Sequence, residues 1–99
     1  MKVYIVTRHH FDDRNGVNTF KTAAFTTLRK AREFLRDSFK IAVKCWEARG
    51  YTFEEGDACL FNADRAWLHL SDNERNERQW NITTVNLDGR KYSDHGLLD

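Results

Sequence analysis

No stretch of this sequence is long and apolar enough to cross a bilayer, since no run approaches the roughly 18 apolar residues of a helical span. Glycine is sparse and scattered, at positions 16, 50, 56, 89 and 96. That leaves no glycine-rich loop to cradle a phosphate and no Gly-x-Ser-x-Gly elbow to present a nucleophile. Cysteine is limited to Cys45 and Cys59, without the paired spacing of a zinc knuckle or a redox motif. No His-Glu-x-x-His run or EF-hand loop compensates. With two unpaired thiols the expectation is a reducing, cytoplasmic setting. The opening "MKVYIVTRHH" has one lysine and no small-residue cleavage site, so it reads as a first strand and not as a secretory leader.

What is present is enough for a core. The chain has 99 residues, of which 40% are hydrophobic and 13% aromatic, a composition that excludes intrinsic disorder and fits one domain. We assign that domain to residues 1–89 and expect the polar stretch 90–99 to fray. The net charge of +1 hides an asymmetry. Residues 1–27 hold four bases and two acids, 28–50 seven and three, and 51–99 five and ten. The excess of base is local to the middle of the chain, which fits a partner with patches of both signs better than a general nucleic-acid binder.

The pattern of apolar residues gives the elements. "KVYIVT" is a strand, rich in β-branched residues. Asn15-Gly16 signals a two-residue type I′ hairpin turn, and "VNTFKTAAF" returns. With that turn, residues paired across the hairpin sum to 31, so Phe11 faces Phe20 and Val6 faces Phe25. Thr26 or Thr27 caps a long helix. Its apolar residues Leu28, Ala31, Leu35, Phe39, Ala42 and Trp46 recur at steps of three or four, and Gly50 stops it. Strands follow at Ala58–Phe61 and Ala66–Leu70 around a four-residue loop, Asn62–Arg65. A charged loop over Ser71–Arg78 leads to a last strand, Gln79–Leu87. In that strand the apolar phase changes between Ile82 and Val85, by a bulge or by burial on both faces. The order ββαβββ predicts an α+β fold: a two-layer domain in which one long amphipathic helix packs on one face of a mostly antiparallel sheet.

The site candidates follow from this frame. "RHHFDDRNG" sets His9 and His10 beside Asp12 and Asp13. Successive strand residues point to opposite faces, however, so the imidazoles diverge and no metal is assigned. Glu54, Glu55 and Asp57 form an acidic loop cluster typical of solvated turns. Cys45 sits near the C-terminal end of the helix, where the dipole disfavours a thiolate, and Cys59 lies in an apolar strand. No catalytic residue and no cofactor is assigned.

Two faces of the helix remain. Arg29, Arg32, Arg36, Lys40 and Lys44 form a basic arc suited to a phosphate backbone, but Glu33, Asp37 and Glu47 interleave with it, as on a solvated face. Phe34, Ile41 and Cys45 form a second apolar stripe beside the core-facing one. It widens the apolar arc to about 160°, against the ~100° one buried face requires. Such an excess marks a deep core or an interface.

Phe25, Thr26, Lys30, Ala31 and Phe34 in "AFTTLRKAREFL", with the strand "KVYIVT" and the closing "VNLDG", resemble a group of small bacterial and phage proteins. In these a strand pair, a Phe-Ser/Thr cap and a Lys-Ala helix precede closing strands. The resemblance spans the first half and the last strand. It implies the same α+β architecture and no activity that can be carried over. The leading expectation is a non-enzymatic interaction domain with a protein partner or a second copy of itself, of the kind a phage-type inhibitor of a host protein would be. Nucleic-acid binding through the basic arc and a small metal-dependent hydrolase are the alternatives.

Overall fold

The computed structural model of the chain describes residues 1–13, 15–53, 57–70 and 76–87. In chain order these form β1 (Lys2–Asp12), β2 (Val17–Phe25), α1 (Leu28–Ala48), β3 (Ala58–Asn62), β4 (Arg65–His69) and β5 (Asn76–Asn86). The strands make one antiparallel sheet in the order β2-β1-β5-β4-β3. α1 packs on one of its faces, giving the α+β, ββαβββ architecture. The acidic loop residues Glu54 and Glu55, most of the charged loop and the tail 90–99 lie outside the described residues.

The first hairpin differs from expectation. Tyr4 pairs with Phe25 and Asp12 with Val17, so the loop runs over residues 13–16 and the register is offset by two. The cause is local. The Asp12 carboxylate accepts hydrogen bonds from the Asn15 backbone N–H (3.2 Å) and side-chain amide (2.7 Å), which ends β1 early in an Asx-type turn. Asn15 does not adopt the positive φ of a type I′ turn; only Gly16 does, at 67°. An offset of two preserves the faces. Phe20 therefore stacks on His9 in place of Phe11, with ring centroids 3.8 Å apart.

The second hairpin is tighter than the four-residue loop expected. β3 and β4 leave only Ala63 and Asp64 between them, and the register shifts between Leu60 and Asn62. The extra residue, Phe61, turns its ring onto Trp67 at 4.6 Å. β5 begins at Asn76, so Asn76, Glu77 and Arg78 belong to the strand and not to a loop. No register shift interrupts β5 against β1. The changed apolar phase is burial on both faces, with Val85 half-buried opposite Val3.

The core lies between α1 and the middle of the sheet. Val6, Ala31, Leu35, Leu68 and Trp80 are at most 1% exposed. The indole of Trp80 meets the Phe39 ring edge-on at 5.5 Å and donates to Ser38 Oγ at 3.0 Å, so the largest core side chain has its one polar atom satisfied. α1 starts at Thr27, whose hydroxyl accepts from the Lys30 N–H at 3.2 Å. It ends in a Schellman motif: Gly50 N–H donates to Glu47 O and Tyr51 N–H to Trp46 O, with Gly50 at φ 94°. The Trp46 and Tyr51 rings close that motif edge-on at 4.9 Å. Thr27→Ala is expected to cost about 1 kcal/mol in urea denaturation, with unchanged slope, because one orphan amide loses its acceptor.

Candidate functional site: a cationic groove beside the helix

Alternation along the strands sorts the histidines as the sequence implies. His9 faces away from α1, stacked on Phe20, tilted against Phe11 and hydrogen-bonded to Asn18 Oδ1 at 2.6 Å. His10 faces the helix side, where Arg78 is its partner across β1 and β5. Among the described residues no three His, Cys, Asp or Glu side chains converge as metal ligands would. On the helix-free face a shallow concavity of about 500 Å³ lies beside Phe61 and Trp67, with His69 Nδ1 3.7 Å from Glu77 at its margin.

The basic arc of α1 is largely neutralised. Arg32 Nε holds Asp64 Oδ1 at 2.8 Å, a hydrogen bond that raises the guanidinium above its ordinary pKa. Arg29 lies 4.0 Å from Glu33 and Arg36 3.7 Å from Asp37. Only Lys40 and Lys44 of the five have no carboxylate within 4.0 Å among the described residues. An arc so interrupted releases few counterions from a nucleic-acid backbone.

The second apolar stripe is not buried. Phe34 is 43% and Ile41 62% exposed, and Cys45 is exposed as well. Phe34 touches Phe25 of β2, with ring centroids 5.2 Å apart, which sets this side of α1 toward the β2 edge of the sheet. Between stripe and sheet lie two adjoining concavities, which share Arg8, Phe34 and Ser38 in their linings and together form a groove. A part of about 210 Å³ lies over Val6, Arg8, Lys21 and Ala23, and one of about 350 Å³ lies between Ile41, Cys45, Arg8 and Arg78. The stripe is thus an apolar wall above a cationic floor. From Phe34 to Cys45 the wall is about 16 Å long at 1.5 Å per residue. Helical periodicity exposes the wall. Alternation within the first hairpin sets Arg8 and Lys21 on one face, but Arg78, expected in the charged loop, joins them only because β5 begins at Asn76 and pairs with β1.

No family model, curated protein or solved structure matches the chain. The groove therefore carries the functional argument by its own chemistry. Among the described residues no helix is long and apolar enough to cross a membrane.

The inner end of the groove is electrostatically tense. Burial lowers the His10 pKa from its ordinary 6.5, and Arg78 and Arg8 push it further down against a hydrogen bond with Asn76 and the charge of Asp12. Folding thus favours neutral His10, and the unfolded chain binds the proton more tightly. The stability this contributes is complete above pH 6.5 and is lost as pH falls below that value toward the lower folded pKa. Urea midpoints taken at about pH 7.5 and 5.5 are expected to fall in the wild type and to fall less in His10→Gln.

Proposed function

We propose that the chain is a non-enzymatic interaction domain that takes a segment of a partner protein into the groove between α1 and the β1–β2 floor. The observation that carries this reading is the exposure of Phe34 and Ile41 beside basic residues of the sheet, with Arg8 and Lys21 lining the groove at Phe34 and Arg8 and Arg78 lining it at Ile41. An apolar wall left open to water is unfavourable unless something covers it. A cationic floor beside it selects a cover that is apolar on one side and acidic on the other. The groove runs along a helix, so an amphipathic helical segment fits it in length and shape.

The probe for this reading is a synthetic amphipathic helix with leucines on one face and glutamates on the other. It is expected to bind one to one, to shift backbone amide resonances of α1 between Phe34 and Cys45 and of β2 near Lys21, and to weaken as salt is added. Shifts confined to the Phe61–Trp67 face, or equal binding of a probe with lysines in place of glutamates, would overturn the reading. Size exclusion coupled to mass measurement is expected to show a monomer at high micromolar concentration, because two cationic floors repel. A dimer abolished by Ile41→Asp would make a second copy the occupant instead.

A further inference from the structure

The floor of the groove carries more positive charge than the fold itself can use. Lys21 stands directly opposite Arg8 across β1 and β2, and like charges in that position are destabilising. Arg78 is diagonal to Arg8 across β1 and β5, since Arg8 pairs with Trp80 and His10 with Arg78. Arg49 adds a fourth cation: its guanidinium and that of Arg78 lie 5.1 and 5.8 Å from the centroid of the same Trp46 ring. Among the described residues none of the four has a carboxylate within 4.0 Å. The one acid on the wall, Asp37, leans to Arg36. Asp12 is engaged by Asn15 in the hairpin loop.

The arginine nearest the helix also has an unmet bond. The Nε–H of Arg78 is buried with no hydrogen-bond partner. Burial, with Arg8 and Arg49, lowers the pKa of its guanidinium below the ordinary arginine value against the influence of Cys45. The Trp46 ring accepts part of the cation but offers no lone pair to that N–H. An acceptor with two oxygens and a negative charge, seated where Arg8 and Arg78 line the groove, would relieve the repulsion between Arg8, Lys21 and Arg78 together.

Resting on the groove as a partner-binding surface, we infer that the bound segment is anchored by a carboxylate, an Asp or Glu flanked by apolar residues, seated on Arg8 and Arg78 at the foot of Ile41. A carboxylate fits better than a phosphate. It is planar and matches the guanidinium fork. Its single charge leaves water beside Phe34 and Ile41 more readily than a double charge does. Asp37 on the wall repels a dianion more strongly than a monoanion.

The test follows the side-chain Nε–H resonances of the arginines while sodium acetate or sodium phosphate is added at constant ionic strength with chloride. The resonances of Arg78 and Arg8 are expected to shift saturably with acetate. No shift with either anion beyond that seen in chloride overturns the inference, and a stronger response to phosphate overturns the choice of carboxylate. In a second arm the leucine–glutamate helix and its glutamine counterpart bind wild type, Arg78→Gln, Arg8→Gln and Ile41→Asp, each checked for folding by its amide spectrum. Arg78→Gln is expected to weaken the glutamate probe about tenfold to a hundredfold and to leave the glutamine probe unchanged. Arg78→Lys, which keeps charge but not the fork, should fall between and covers a folding failure of the glutamine variant. If Arg78→Gln changes nothing while Ile41→Asp abolishes binding, the anchor is wrong and the groove stands. If the reverse holds, the anchor stands and the apolar wall plays no part.

Discussion

Trp80→Ala is expected to lose about 3–5 kcal/mol of folding stability, the range for truncating a large buried aromatic side chain. A domain of this size has about 5–15 kcal/mol in total, so the variant should sit at the margin of folding at 25 °C. The expectation rests on position. Trp80 is 0% exposed on the central strand of the sheet, and its indole spans from Phe39 to Ser38 on the helix. No neighbouring element can move to fill the void without parting α1 from β5. Two further variants separate the contributions. Trp80→Phe keeps most of the packing but leaves Ser38 without its donor, and should cost less than alanine. Ser38→Ala strands the indole N–H and should cost about 1–3 kcal/mol. Urea denaturation followed by far-UV circular dichroism measures all three. A Trp80→Ala variant within about 1 kcal/mol of wild type would mean that the core packs around some other residue.

The helix, the strand count and the layer order were legible because periodicity carries them directly. Leu28 to Trp46 recur on one face of α1 and are all buried or half-buried, and Gly50 stops the helix by the motif its position implies. Turn registers were less legible, since short-range chemistry sets them. Asn15-Gly16 has the composition of a two-residue turn, yet the Asp12 carboxylate takes the Asn15 N–H groups and lengthens the loop. Likewise Phe61 became the bulged residue of β3, so that its ring rests on Trp67. The candidate site divided along the same line. Its apolar wall is a helical stripe and can be read from the spacing of Phe34, Ile41 and Cys45. Its floor joins Arg8 and Lys21, cross-strand partners in the first hairpin, to Arg78, which pairs with His10 across β1 and β5. Arg78 falls in a stretch whose composition reads as a charged loop, and no local pattern brings it to the other two.

Ile41→Asp is the substitution that should affect binding most while touching the fold least. Ile41 is 62% exposed in the free protein, so its folded-state contacts are few and its loss should move the urea midpoint little. An added like charge four residues from Asp37 contributes only a few tenths of a kcal/mol. In the complex the same side chain is covered, and full burial of an isoleucine is worth about 1.5–3 kcal/mol, or roughly a tenfold to hundredfold change in affinity. The aspartate acts a second way. It places a carboxylate on the wall above Arg8 and Arg78, within the protein itself, where it competes with the acidic group of any partner. Ile41→Ser removes the apolar contact without supplying that competitor. The glutamate probe should therefore bind Ile41→Asp more weakly than Ile41→Ser, and the gap should close as salt screens the charges. The glutamine probe should not distinguish the two variants. Equal binding of the glutamate probe to both, at low salt and with folding intact, would separate the apolar wall from the cationic floor and leave them as two unrelated surfaces.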